Sequence, residues 1–189
     1  MDADELADLI RRAQARETAA FDALVECYST RLYGYLYRLT GSRHDAEDLL
    51  QEVFVRVVKM IGRYEHDGRF EAWLFRIATN LVRDRVRRIR AAPPTVSTET
   101  GDGHIGEMAA VGDGTDPAGR MQISEAADRL QWALDQLSDA EREVVMLRHF
   151  SDLSFADIAE LMKTPLGTAL ARAHRGLGRL RRLMTETTE

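Results

Sequence analysis

Apolar residues recur along this chain at steps of three and four, the period of an amphipathic helix, and no two-residue alternation persists. Leu6, Leu9, Ile10 and Ala13 mark a first helix, and Phe21, Leu24, Val25 and Tyr28 a second. Leu32, Leu36 and Leu39 mark a third, which Gly41 should end, since glycine tolerates the left-handed conformation of many helix ends. Leu49, Leu50, Val53, Phe54, Val57, Val58 and Ile61 then form a wide apolar stripe on a helix closed by Gly62. A long helix begins near Arg69 or Phe70 and can reach Arg90 before Pro93 forbids it.

The C-terminal part carries clear start signals. Ser138 with Glu141, and Ser154 with Asp157, fit the capping box, in which a hydroxyl and an acid satisfy free backbone N–H groups. Thr164 before Pro165 places a cap residue ahead of proline at a first helical position. Four helices follow, about Glu125–Gln136, Asp139–Phe150, Phe155–Met162 and Pro165–Met184. Between the two periodic blocks, Ala91–Gln122 holds three of the four prolines, six glycines, and five acids against Arg120 alone. Its composition is that of a flexible linker. The expected fold is all-α: helical domains over 1–92 and 125–189, joined by an acidic linker over 93–124.

Composition narrows the classes. With 44% hydrophobic residues in 189, the chain can bury real cores. Cys27, the only cysteine, excludes an internal disulfide and a thiolate metal cluster, and is expected as a small buried apolar residue. The start, MDADELADLI, is acidic where a signal peptide is basic, and no apolar run approaches a membrane span. A cytoplasmic protein without membrane insertion is expected. The linker glycines follow no strand and precede no Gly-Lys-Ser/Thr, so they do not form a phosphate cradle. His149 and His174 lack partners at metal spacing and read as polar surface or cap groups. Neither a cofactor, a metal nor an enzymatic activity is expected.

Charge raises a further question, because the chain is acidic at −5 yet crowds Arg172, Arg175, Arg179, Arg181 and Arg182 together without a carboxylate. Only Lys163 and Thr164 separate the last two helices, the spacing of a helix-turn-helix whose second helix enters the DNA major groove. At about 100° per residue, Leu166, Leu170, Ala173, Leu177, Leu180 and Met184 form one stripe. Arg172, Arg175, Arg179 and Arg182 lie opposite, suited to phosphates and base edges. On the long helix Arg76, Asn80, Arg83, Arg87 and Arg90 share a face, and the Asn80 amide can pair with an unpaired base edge. Asp45, Glu47, Asp48, Gln51 and Glu52 open another helix, where they suit its dipole or a protein-docking surface better than metal binding.

Two stretches resemble a known family. DAEDLLQEVFVRVVKMIGRYEHDGRFEAWLFRIATNLVRDRVRR is similar to region two of bacterial RNA polymerase sigma factors. LSDAEREVVMLRHFSDLSFADIAELMKTPLGTALARAHRGLGRLR is similar to their region four. With no region three between them, the chain resembles the extracytoplasmic-function (ECF) type.

The resemblance implies promoter-specific transcription initiation, with core RNA polymerase and promoter DNA as partners and an anti-sigma factor as regulator. It implies that Asp45, Asp48, Gln51 and Glu52 dock on the beta-prime clamp helices, and that region four meets the beta flap. Tyr64, Phe70, Arg76, Asn80, Arg83 and Arg87 would hold the minus-ten element, with a flipped base near Asn80. Pro165, Gly167, Thr168, Arg172, Arg175 and Arg179 would read the minus-thirty-five element. The linker acids Glu99, Asp102, Glu107, Asp113 and Asp116 would stand in the polymerase cleft. Lys163 replaces a frequent turn glycine, and Leu170 and Ala171 replace a frequent basic or polar pair. Small Ala169 and Ala173 imply a closely packed or slightly shifted helix. The alternative is a stand-alone helix-turn-helix regulator, which would need neither the acidic helix nor the Asn80 face.

Overall fold

The computed structural model describes residues 2–91 and 117–186, with side chains placed for 2–91 and 125–185. Among the described residues there are eight α-helices and no strand. They run α1 (Ala3–Gln14), α2 (Thr18–Thr40), α3 (Arg43–Met60), α4 (Phe70–Ala91), α5 (Pro117–Asp135), α6 (Asp139–Phe150), α7 (Phe155–Leu161) and α8 (Leu166–Glu186).

Capping places most of the boundaries. Ser42 accepts from the Asp45 N–H at the start of α3, and capping boxes open α1, α6 and α7 through Asp2/Glu5, Ser138/Glu141 and Ser154/Asp157. Gly41, at φ 68°, ends α2 in the left-handed conformation. Two expectations are corrected. Residues 18–40 form one helix rather than two, because Ser29, Thr30 and Arg31 contain no breaker and Leu24, Tyr28, Leu32 and Leu36 continue one buried line. The helix before α6 opens at Pro117 rather than Glu125.

The N-terminal half, α1 to α4, closes around Leu24, Leu32, Tyr35, Leu36, Val53, Phe75 and Leu81, all buried. The one polar pair at its centre is satisfied: the Tyr35 and Thr79 hydroxyls lie 2.7 Å apart. Gln14 ties α1 to the turn after α3 by donating to the carbonyls of Ile61 (3.1 Å) and Tyr64 (2.6 Å). Cys27 is exposed, not buried. It sits about 100° around α2 from buried Tyr28, outside the packed line.

The C-terminal half packs α8 on α6 at very short range. A Cβ on Gly176 would meet Val145 at 2.9 Å, and the buried positions of α8 are Ala169, Ala173, Gly176 and Leu180. This close approach turns the helix away from the expected register, leaving Leu166, Leu170 and Leu177 exposed. Lys163, in the tight turn, takes φ 53°, a conformation that costs a lysine about 1–2 kcal/mol.

The halves also pack on each other. α2 meets α6 where the bare backbone of Gly34 receives the Phe150 ring; a Cβ there would lie 2.6 Å from Phe150 Cε1. Arg31 donates to the Phe150 carbonyl (2.8 Å) and pairs with Glu71 and with Asp152, each at 2.9 Å.

Candidate nucleic-acid and polymerase interface

Three surfaces carry the expected site residues. The first is the start of α3. Asp48 and Glu52 are about half exposed, with Asp48 3.5 Å from His44 and Glu52 2.9 Å from Arg56. Gln51 is exposed between them. Asp45 departs from the expected exposed set. Its carboxylate forms a short ion pair with Arg85 of α4, and neither side chain is more than a third exposed. It joins two helices and does not present its charge outward.

The second surface is α4 with the turn before it. Tyr64, Phe70 and Trp73 form an aromatic cluster, with ring centres 5.6 Å (Tyr64–Phe70), 4.8 Å (Tyr64–Trp73) and 5.5 Å (Phe70–Trp73) apart. Burial pushes the Tyr64 phenol up to about 12, so it stays neutral. Phe70 is 1% exposed and also packs on Tyr28, so it supports the turn from beneath rather than offering a face to a base. Asn80 is exposed and makes no side-chain hydrogen bond with a described residue. It lies in the arginine row, which shares one face of α4 as its spacing requires.

That row is occupied by acids of the other half. Arg69 reaches Asp157 (2.8 Å) and Glu160 (2.7 Å), and Arg76 reaches Glu160 (3.4 Å). Arg83 lies 2.7 Å from Glu143, and Arg90 2.6 Å from Asp139. Arg87 instead pairs within α4, 3.3 Å from Asp84. The hydrogen bonds from Arg69 hold Glu160 below the usual carboxylate range; Asp157 is also lowered, chiefly by its bond from Ser154. Glu143 moves the other way, since burial raises it and Arg83 only partly opposes this. A cavity of about 680 Å³ lies beside this seam, floored by Val82, Val86 and Met162 and rimmed by Arg83, Arg87 and Arg172.

The seam was not anticipated from the sequence. A signal for it exists: Asp139 and Glu143 stand four apart on α6, and Asp157 and Glu160 three apart on α7. Each pair forms an acidic edge that complements the four- and three-residue steps of the α4 arginines.

The third surface is the outer side of α8. Pro165, Gly167, Arg175 and Arg179 are exposed, while Thr168 and Arg172 are half-buried. Arg172 borders the interdomain cavity, and Arg175 is held by Glu141 at 3.1 Å. The expected arginine face is therefore split along the helix. The linker acids Glu99, Asp102, Glu107, Asp113 and Asp116 lie outside the described residues. Among the described residues, no helix is long and apolar enough to cross a membrane.

Residues 24–92 match the family described as Sigma-70 region 2, and residues 120–180 the family described as Sigma-70, region 4. The ECF RNA polymerase sigma factor SigW of Bacillus subtilis (strain 168) is 32% identical over 178 residues, covering 94% of this chain and 95% of that protein. The RNA polymerase sigma-H factor of Pseudomonas aeruginosa is also 32% identical, covering 88% of this chain and 87% of the relative. Among solved structures, CnrH in complex with the cytosolic domain of CnrY aligns with a TM-score of 0.65 at 21% identity, over 98% of this chain and 99% of that one. The sigma factor RpoE of Bartonella quintana, in complex with the anti-sigma factor NepR, aligns at 0.61 and 22% identity, over 87% and 96%. These two likenesses concern the fold.

Proposed function

We propose that this chain, which belongs to the ECF subfamily of sigma-70 RNA polymerase sigma factors, divides promoter-specific transcription initiation between its two halves. The N-terminal half, over 1–92, docks on the clamp helices of core polymerase through Asp48, Gln51 and Glu52, and takes the minus-ten strand along α4. The C-terminal half meets the beta flap and lays α8 against the upstream duplex. The chain is an initiation factor with no reaction of its own and works in the cytoplasm, where promoter and polymerase are. Its linker acids act in the polymerase cleft.

The observation that carries this reading is the α4 face. A neutral amide, Asn80, is exposed in a row of guanidinium groups, beside a turn whose aromatic ring Tyr64 is half-exposed. Guanidinium groups hold phosphates, stacked aromatics support an unpaired base, and an amide discriminates base edges. Extracting a base costs a few kcal/mol of stacking, which such a groove offsets. The same arginines cannot hold DNA phosphates and the carboxylates of α6 and α7 at once. Promoter reading through α4 therefore requires the halves to part. An anti-sigma factor of the kind bound to the RpoE relative would act on this same equilibrium.

Run-off transcription with purified core RNA polymerase on genomic fragments, with start sites sequenced, tests the reading. Discrete start sites preceded by shared minus-ten and minus-thirty-five elements are expected. Sequence-specific duplex binding without polymerase, and no polymerase-dependent transcript, would favour the stand-alone regulator.

A further inference from the structure

Base contacts of a helix-turn-helix fall on the N-terminal turns of its second helix. Here those turns read Pro165, Leu166, Gly167, Thr168, Ala169, Leu170, Ala171. Ala169 is buried, and among the others only Thr168 has a side-chain hydrogen-bonding group. Leu166 and Leu170 are 47% and 44% exposed, one turn apart on the same edge. A Cβ on Gly167 would have nothing within 4 Å, so the backbone there can approach a surface closely. The segment placed to meet base edges thus offers methyl groups and bare backbone. Hydrogen-bonding arginines begin a turn later, where Arg172 borders the cavity and Arg175 is engaged by Glu141.

In the major groove the feature that distinguishes a base to an aliphatic side chain is the thymine methyl group. We propose that Leu170, with Leu166 and Gly167 beside it, reads thymine methyl groups in the upstream promoter element. Specificity there then rests on A·T pairs, while the arginines further along α8 position the duplex through its phosphates. A lone exposed leucine would carry no such meaning. These two border an arginine row, and no acid occurs on α8 between Leu166 and Thr185, so charge favours a polyanion over a basic or neutral protein, and the helix-turn-helix geometry makes that polyanion a DNA duplex. The closely packed Gly176 explains the exposure, since it turns α8 until its leucines leave the core. The inference rests on the assignment of α8 to the upstream duplex.

The test uses holoenzyme assembled from the full chain and core RNA polymerase, and a promoter pool with a randomised upstream element. Selection should enrich A·T pairs at one or two positions. In the selected promoter, replacing each thymine by deoxyuridine removes the methyl and keeps the pairing. Binding should fall about fourfold at each contacted thymine, the worth of one buried methyl group. Leu170→Ala, exposed and so without effect on the thermal melt, should bind thymine and deoxyuridine equally at one of them. Deoxyuridine silent at every position, or a selected G·C pair whose discrimination is lost on removing Arg172 or Arg175, would overturn methyl readout and leave the upstream role of α8 standing. An unchanged deoxyuridine effect in Leu170→Ala would overturn the assignment to that residue. A pool that emerges without any upstream preference would instead remove the role of α8 itself, and this proposal with it.

Discussion

Arg83 on α4 and Glu143 on α6 stand 2.7 Å apart across the boundary between the halves, a guanidinium of the α4 row facing a carboxylate of its own chain. Glu160, bridging Arg69 and Arg76, repeats the relationship one helix further on. Neutralising Glu160, as Glu160→Gln, should weaken the closed arrangement, since it discharges the carboxylate that Arg69 and Arg76 share. Small-angle scattering should then report a larger radius of gyration, and the free chain should bind a single-stranded minus-ten oligonucleotide more tightly. An unchanged radius would show that the halves stay together without this carboxylate.

Acid should act on the two acids in opposite directions. Glu160 is held below its ordinary value by Arg69, so its contribution is present above 4.5 and is lost as pH falls through the depressed value. Glu143 is raised by burial, so the closed state takes up its proton more readily, and acidification through the window above 4.5 favours closure there. A fluorescence pair across the halves should report no opening from neutral pH down to this window, then opening of the α7 end below it. Glu160→Gln should be looser at that end and show a smaller acid step, that of the Arg69–Asp157 pair.

Gly34 should behave as a hinge notch. An added methyl would sit 2.6 Å from Phe150 Cε1, and overpacking of this kind costs about 1–3 kcal/mol. Inside α2 the same change favours helix by about 1 kcal/mol. Gly34→Ala should therefore part the halves while each stays folded, seen as a larger radius with unchanged helical circular dichroism. Adding Phe150→Ala should restore the compact form.

Asp45 and its neighbours should separate stability from docking. Asp45→Lys breaks the Arg85 pair between α3 and α4 and places like charges together, so a loss of about 1–3 kcal/mol is expected in thermal unfolding. Asp48→Lys with Glu52→Lys changes exposed charges and should leave unfolding within about 0.5 kcal/mol, yet reduce retention of core polymerase in a pull-down.

Asn80→Ala should slow open-complex formation and relax discrimination at one minus-ten base, with the salt dependence of binding unchanged because the amide is neutral. A template already melted over the minus-ten element should restore part of the activity. Arg179→Ala, by contrast, should lower the salt slope by about one unit if it loses a phosphate contact.

Much of this molecule was legible in its sequence because local rules fix local structure. The hydroxyl–acid pairs of α6 and α7, Gly41, and the apolar steps of α3 and α4 each act within a few residues of chain. Reading failed where distant packing decides. The break expected between Tyr28 and Leu32 is absent because nothing there opposes a continuous helix. The face of α8 was misjudged because an apolar stripe counts leucines, whereas the helix follows its smallest residues, Ala169, Ala173 and Gly176, into close contact. Exposed Cys27, buried Phe70 and the inward Asp45 are likewise set by which helix lies opposite, which no local spacing encodes. The arginine row was visible, but its carboxylate partners, 49 to 91 residues away in sequence, were not.

Because those carboxylates hold the guanidinium groups proposed to take the promoter strand, dissolved ions should act twice on this protein. Screening loosens the intramolecular pairs and frees α4, but it also weakens every phosphate contact that α4 and α8 can make. The first effect dominates while the chain is closed and the second once it is open. Strand capture by the free chain should thus pass through an optimum, rising and then falling along an ionic-strength titration, where a permanently open domain would only decline.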